Sequence, residues 1–397
     1  MQPNGVIIIE GQLQGLSNAY SLGEAGIPVI VADTDNCLAQ YSRYCQKFVQ
    51  CPPYDSDELA SFLIDLARDL DLKGWMLLPS NDHAVVTLSR NKKRLEKYFR
   101  TPIPDPDIIS SVYNKLSLVE NAREAGVPVP ATFRGDRIDP KAPPLDFPVL
   151  TKGKFGQAFR QKTGRKAFLA NTPKELFTQL KKIKQQVPLE ETIIQELIPE
   201  GKNKAISFTA FCEDGEIRAY WMGAKVREHP VRFGTATCAK SVFVEDCLKH
   251  SLPLIRQFNY SGVCEVEYLK DPRDGQYKLI EINPRTWLWV DLAKACGVDF
   301  TKMLYHHANN EQPHFPDDYQ TGKYWINPIA DPVSVAQSNN KKGLAFLKYL
   351  LYLFGNNYVN PLAGKKEIKP AFFYALTVNT KLRKALKPFL KGKKETS

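Results

Sequence analysis

Long apolar runs are missing from this chain. None approaches the ~18 residues that a membrane-spanning helix requires, and the opening MQPNGVIIIEGQ has no positively charged segment ahead of its short apolar stretch. Neither a spanning helix nor a secretion signal is expected. Cysteine pairing is missing as well. The eight cysteines (Cys37, Cys45, Cys51, Cys212, Cys238, Cys247, Cys264, Cys296) form no C-x-x-C pair and have no histidines at zinc-ligand spacing. That excludes a zinc module and a disulfide scaffold, and it predicts a reducing, cytoplasmic setting. Histidine is scarce, six in 397 residues, and none is arranged with a serine or cysteine as a nucleophilic hydrolase would need.

A positive surplus is lacking over most of the length. The formal charge is +11, from 54 basic and 43 acidic residues, yet residues 341–397 hold thirteen bases and two acids. The first 340 residues are therefore formally neutral, and no nucleic-acid partner is expected. Within the basic stretch, apolar runs (Gly343 to Phe354, Ala371 to Leu376) alternate with lysines. That pattern suits amphipathic helices lying peripherally on the inner face of an anionic membrane, or a dock for an acidic partner. It equally suits a helical subdomain with its lysines in water.

What is present is a globular composition, 43% hydrophobic and 11% aromatic, with strands and helices alternating at the start. Val6 to Ile9 reads as a buried strand, Leu16 to Ala25 as a helix and Val29 to Ala32 as a second strand: one βαβ unit, Rossmann-like. Gly11 and Gly15 between strand and helix suit either an anion at the helix N-terminus or a tight turn without ligand. Helices over Ser56 to Leu70 and Ala84 to Phe99, around a strand from Trp75 to Leu78, extend the parallel pattern. The proline-rich Thr101 to Pro106 marks a boundary. Beyond it, a strand from Val149 to Lys152 leads into a glycine- and lysine-rich loop, Gly153 to Gly164, suited to closing over phosphates or to lying solvated. An antiparallel meander follows from Ile193 to Met222, and then a hairpin, Gly262 to Leu269 and Tyr277 to Ile282.

That hairpin carries the chemistry. Glu265 and Glu267 share a face of its first strand, while Glu281 and Asn283 share a face of its second. Three carboxylates and an amide of this kind repel unless a cation neutralises them, and their oxygens suit Mg²⁺ bridging substrate phosphates. Arg285, two residues on, could stabilise charge on a phosphoryl group in transfer.

The segments Gly262-Val263-Cys264-Glu265-Val266-Glu267-Tyr268 and Leu279-Ile280-Glu281-Ile282-Asn283-Pro284-Arg285 resemble the metal and catalytic strand pair of the ATP-grasp superfamily. They are most similar to its carboxylate–amine ligase branch, which includes D-aspartate ligase and carbamoyl-phosphate-synthase-like proteins. The resemblance runs from about Val6 to Ala308. It implies ATP and Mg²⁺ (or Mn²⁺) as cofactors, with Glu267, Glu281 and Asn283 at the metal and Arg285 at the acyl-phosphate transition state. Lys115 and Lys152 would reach the nucleotide phosphates, and the loop around Gly156 would fold over them. Gln195, Glu196, Leu197 and Ile198 would form the hinge strand, with Glu196 and the Leu197 backbone at the adenine edge. Lys225 and Arg227 would lie near the γ-phosphate or the substrate carboxylate. Two places depart from the family pattern: Gly153 replaces the proline usual after the lid lysine, and Gly201-Lys202-Asn203 stands where an acid usually holds the ribose, with Glu200 as the candidate substitute.

The expected architecture is α/β and α+β: a Rossmann-like domain over 1–105, an ATP-grasp domain over 106–312 with a lid subdomain about 130–195, and a basic, helical extension over 313–397. The expected activity is an ADP-forming carboxylate–amine ligase acting on small-molecule carboxylate and amine substrates. A carboxylase-type enzyme using bicarbonate and a nucleotide-binding module without turnover are the rivals, and a homo-oligomer is open.

Overall fold

The computed structural model describes residues 4–139, 144–199, 205–229, 234–337, 357–362 and 367–376. The chain divides into two compact units, neither contiguous in sequence. The first comprises Met1–Pro102, Lys225–Val242 and Thr286–Ser397; the second comprises Ile103–Ala224 and Phe243–Arg285.

The first unit opens with β1 (Val6–Ile9), α1 (Leu13–Glu24), β2 (Val29–Asp33), β3 (Cys45–Gln50), α2 (Glu58–Asp69), β4 (Met76–Pro79) and α3 (Asp82–Arg90). The strands lie in the order β3-β2-β1-β4, every pairing parallel, with Val6 opposite both Val29 and Met76. All residues of β1 and β4 are buried, as befits parallel strands covered on both faces. The single helix expected over 84–99 is instead α3 followed by the short α4 (Lys92–Leu95). Asn91 separates them: its side-chain amide donates to the Thr87 carbonyl at 3.0 Å, competing with the helix it would otherwise continue.

The two glycines after β1 serve the turn itself. A Cβ on Gly15 would sit 2.2 Å from the Glu10 carbonyl oxygen, and one on Gly11 2.4 Å from the Cys37 sulfur. The Gly11 amide donates to Asp33 Oδ2 at 2.8 Å, so the anion at this turn is the chain's own carboxylate.

The second unit begins with α5 (Pro106–Tyr113), α6 (Lys115–Glu124), β5 (Thr132–Arg134), β6 (Val149–Gly153), α7 (Gly156–Thr163), β7 (Phe168–Ala170), α8 (Pro173–Ile183) and β8 (Thr192–Glu196). Its strands order β5-β8-β6-β7, all antiparallel, over a core of Val149, Ala170, Leu176, Leu180 and Ile194. The loop expected over Gly153 to Gly164 is largely helical, as α7. Then come β9 (Ile206–Glu213) and β10 (Glu216–His229), paired antiparallel from Glu216 to Ala224. The next strand, β11 (Thr235–Ser241), falls in the first unit. α9 (Glu245–Gln257), β12 (Gly262–Lys270) and β13 (Tyr277–Asn283) complete the second, in the strand order β13-β12-β9-β10.

The chain returns to the first unit with α10 (Val290–Ala295), α11 (Phe300–Ala308), β14 (Tyr324–Ile326), α12 (Asp331–Gln337), β15 (Tyr358–Val359) and a helix, α13, over 369–376. β14 pairs antiparallel with β11 and parallel with β15. Much of the expected basic extension lies outside the described residues. Among those described, no helix is long and apolar enough to cross a membrane.

Candidate active site

Strand register builds the acidic face. β12 and β13 pair with Glu265 opposite Asn283 and Glu267 opposite Glu281. Opposed residues of an antiparallel pair point to the same side, as do residues two apart, so all four side chains share one face. A register irregularity follows immediately, between Glu267 and Tyr268. Val266 and Ile282, on the opposite face, are fully or nearly fully buried and fix the register against slippage.

The carboxylates are held by neutral and cationic donors. Glu265, buried, accepts from the Ser207 hydroxyl of β9 at 2.7 Å and from the Asn283 amide at 3.1 Å. The same amide donates to Glu267 at 3.3 Å. Arg285 donates through Nη2 to Asn283 Oδ1 at 3.4 Å. Glu281 pairs with Lys115 Nζ at 3.2 Å and keeps 38% of its side-chain surface exposed. The Lys115 charge, helped by Lys152 and Arg285, holds the Glu281 carboxyl well below the usual carboxylate range against the opposing effect of burial.

Lys115 opens α6, whose first turn is capped by Asn114, its Oδ1 accepting from the Leu116 amide at 3.1 Å. Its backbone amide also donates to the Lys154 carbonyl at 2.9 Å. Lys152, on β6, donates to Gln195 Oε1 of β8 at 2.8 Å, and Gln195 in turn donates to the Thr132 hydroxyl at 2.9 Å. Burial and the nearby Lys115 charge push the Lys152 ammonium down to about 8. Gly156 begins α7, within van der Waals reach of the Lys115 stem, since a Cβ built there would lie 3.6 Å from Lys115 Cε.

The hinge strand is more committed than the sequence indicated. The Leu197 amide donates to the Pro148 carbonyl at 3.1 Å, and Ile198 is buried. The Glu196 carboxylate accepts from the Ala131 amide at 2.9 Å, Arg273 at 2.7 Å and Lys278 at 3.3 Å. Burial acts against the charge, yet these three donors hold Glu196 below its ordinary value. Arg273 and Lys278 also clasp the buried Asp271, tying the β12–β13 turn to the hinge. Neither this clasp nor the Ser207 contact to Glu265 was read from the sequence. In sequence, Asp271-Pro272-Arg273 spells only a turn, and a lone serine on an apolar strand gives no signal.

Lys225 and Arg227 lie in the first unit. Lys225 pairs with Glu228 at 3.5 Å. Arg227 grips the fully buried Asp331 through two nitrogens, Nε to Oδ1 at 2.9 Å and Nη2 to Oδ2 at 2.6 Å, while Thr237 donates to the same carboxylate at 2.7 Å. Glu200 lies outside the described residues.

In donor chemistry the acidic face fits a hard divalent cation: carboxylate and amide oxygens, no sulfur and no imidazole. Among the described residues no three His, Cys, Asp or Glu side chains are gathered as a metal site. The Asn283 amide and the Lys115 ammonium sit against the carboxylates. Glu267, Glu281 and the Asn283 carbonyl oxygen are the groups that would hold the ion.

This architecture is the ATP-grasp fold. A family model described as carbamoyl-phosphate synthase L chain, ATP binding domain, matches residues 236–312. Among curated proteins, the chain is similar to D-aspartate ligase of Enterococcus faecium (strain Aus0004), with 26% identity over 363 residues that cover 85% of this chain and 86% of that protein. Among solved structures it is similar to N5-carboxyaminoimidazole synthetase from Staphylococcus aureus, with a TM-score of 0.61, 18% identity, and coverage of 81% and 80% of the two chains. It is also similar to L-amino acid ligase from Bacillus licheniformis, with a TM-score of 0.59, 13% identity, and coverage of 78% and 74%. The likeness to these solved structures extends over most of the chain and is one of fold.

Proposed function

We propose that the protein is an ADP-forming carboxylate–amine ligase. The observation that carries this reading is the shared face of Glu265, Glu267, Glu281 and Asn283, flanked by Arg285, Lys115 and Lys152. An oxygen of the substrate carboxylate attacks the γ-phosphorus of ATP and ADP departs, leaving an acyl phosphate. The amine nitrogen then attacks the acyl carbon, loses a proton, and inorganic phosphate leaves as the amide forms. No protein nucleophile is needed.

Lys115 and Lys152 hold phosphate oxygens, and Arg285 meets the charge that builds on the transferring phosphoryl group. A divalent cation on Glu267, Glu281 and Asn283 would neutralise charge on the nucleotide's phosphates. The Lys115–Glu281 pair keeps Lys115 close to the acids, and Gln195 holds Lys152, until substrate arrives, so catalysis is mainly positioning and electrostatics. Lys225 and Arg227 are assigned to the substrate carboxylate or γ-phosphate, with Asp331 fixing the Arg227 fork.

Similarity to D-aspartate ligase makes D-aspartate the first carboxylate to try, in a panel of carboxylates crossed with amino compounds. With Mg²⁺ and ATP, the expected result is amine-dependent ADP release that Glu281→Ala reduces at least 100-fold. Absence of both ATP binding and ADP release across the panel, with Glu281→Ala indistinguishable from wild type, overturns the proposal. A second reading, with bicarbonate as the group activated, draws on the similarity to N5-carboxyaminoimidazole synthetase. ADP release that depends on bicarbonate rather than on a carboxylate would favour it.

A further inference from the structure

Residues 90–100 hold six bases and a single acid, Glu96, in a chain whose first 340 residues are formally neutral. Part of this basic stretch lines an open cleft of about 340 Å³ between α2 and the chain from Arg94 to Tyr98. Ser61, Ile64, Asp65 and Arg68 form the α2 wall, their spacings of three and four placing them on one helical face. An open parallel sheet takes its substrate outside the carboxyl ends of its strands. The cleft is elsewhere: the Tyr98 carbonyl accepts from the Gly74 amide at 2.7 Å, just ahead of the amino end of β4.

Two guanidiniums line the cleft, each fixed by a neutral acceptor. Arg94 donates through Nη2 to the Ser61 hydroxyl at 3.2 Å and through Nη1 to Asn91 Oδ1 at 3.0 Å, and no carboxylate pairs with it among the described residues. Arg68 donates through Nη2 to the Tyr98 hydroxyl at 2.7 Å. Arg68 also pairs with Asp65 at 3.2 Å, but both side chains are more than half exposed, and an ion pair so open to water is weak. Lys97 lines the same cleft and has no ion-pair partner among the described residues. Three cations thus stand against one carboxylate.

What these groups have left over is donors. Each hydroxyl already accepts from a guanidinium, so the hydroxyl hydrogens of Ser61 and Tyr98 remain to be given. Arg94 has used two of its five N–H groups, and the Lys97 ammonium keeps all of its own. Asp65 is the one lining side chain that can only accept. The complementary ligand is rich in acceptors and carries more than one negative charge, which describes a phosphoryl dianion better than a carboxylate. Guanidinium forks match its oxygens in geometry as well as charge. The volume also exceeds what a phosphoryl group fills and falls in the range of small-molecule sites. Ile64, buried on α2, and the Tyr98 ring supply an apolar wall for a carbon body.

We propose that this cleft binds a phosphate monoester, its phosphoryl oxygens held by Arg68, Arg94 and Lys97 and its carbon body resting on Ile64 and Tyr98. Asp65 is the group that the phosphoryl displaces from Arg68. The proposal is independent of the ligase reading, because neither the acidic face nor Lys115 and Lys152 take part.

The test is calorimetric titration of the full chain with phenyl phosphate, inorganic phosphate and, at matched ionic strength, chloride. Expected is saturable one-to-one binding of phenyl phosphate, at least threefold tighter than inorganic phosphate and not reproduced by chloride. The double variant Arg68→Gln, Arg94→Gln should bind at least tenfold more weakly, Lys97→Gln about threefold more weakly and Asp65→Asn about threefold more tightly. Lys152→Met, in the nucleotide phosphate site, should bind as wild type. Lys97 and Asp65 are exposed, so their variants report on the cleft even where the arginine pair is needed for folding. Absence of saturable binding, wild-type affinity in both Lys97→Gln and Asp65→Asn, or loss of binding in Lys152→Met overturns the proposal. Inorganic phosphate binding as tightly as phenyl phosphate would leave no role for the apolar wall and overturn it too. Retention on immobilised polyphosphate without monoester binding would make the cleft part of a polyanion surface, with the same consequence.

Discussion

At the scale of the single residue, Lys152 is the group whose behaviour the environment alters most usefully. Burial and Lys115 lower its ammonium to about 8, so in the free protein it is only part-charged in mildly alkaline solution. A nucleotide phosphate would restore its preference for the charged form. Nucleotide binding should then take up a proton above pH 8, approaching one per ATP near pH 9, and affinity should fall as pH rises through that range. Calorimetry in buffers of different ionisation enthalpy reads the uptake, and Lys152→Met should abolish it. A pH-independent affinity between 7 and 10 would remove Lys152 from the phosphate site. The same shift contributes to stability with a definite sign: between about 8 and the unfolded value near 10.4 the folded chain binds fewer protons than the unfolded one. Its contribution therefore rises with pH across that window. The existence of a lysine here was legible from its place in a strand ahead of a glycine-rich segment. Its depressed basicity was not, because it arises from burial in the folded chain and from Lys115, 37 positions earlier in the sequence.

At the scale of the element, the β12–β13 hairpin was legible and α7 was not. In the hairpin, acids alternate with Val266, Ile280 and Ile282, so the period of two shows which residues share a face. α7 reads Gly-Gln-Ala-Phe-Arg-Gln-Lys-Thr, and Phe159 is its one buried residue; a single apolar side chain gives no period. What fixes the helix is packing of Phe159 over Gly153. A Cβ on Gly153 would lie 2.3 Å from Phe159 Cβ, which also accounts for glycine at the position where the family usually has proline. Gly153→Ala should push α7 away from β6, at a cost of about 1–3 kcal/mol typical of overpacking. The expected signature is faster limited proteolysis within 154–170 and weaker ATP binding, while the first unit, probed by exchange of β1 and β4 amides, stays protected. Unchanged proteolysis would show that the contact does not hold the helix. β11 and β14 escaped sequence reading for a related reason: Thr235–Ser241 is a run of small and polar residues, and Tyr324–Ile326 is three residues long.

At the scale of the whole molecule, a linear partition misses that the chain leaves the first unit and returns to it twice. The signal for return is polar and long-range, and no local pattern carries it. Asn18, fully buried on α1, donates to the Ser80 hydroxyl at 3.3 Å and to the Thr286 hydroxyl at 3.0 Å, and accepts from the Thr301 hydroxyl at 2.8 Å. One turn earlier, Gln14 donates to the Thr286 carbonyl at 2.6 Å and to its hydroxyl at 3.0 Å. One amide thus joins residues 80, 286 and 301 around a helix that begins at residue 13. Asn18→Leu keeps the size but removes the hydrogen-bonding capacity, leaving the Ser80 and Thr301 hydroxyls without this partner while the Thr286 hydroxyl keeps Gln14. Each orphaned group costs about 1–3 kcal/mol, less where a hydroxyl turns to another acceptor. A loss of about 2–4 kcal/mol in denaturant-induced unfolding is expected. Thr286→Val in the Asn18→Leu background should cost less than Thr286→Val alone, since one of the two amides that donate to its hydroxyl is already gone. Strict additivity of the two substitutions would mean that the network does not couple the segments.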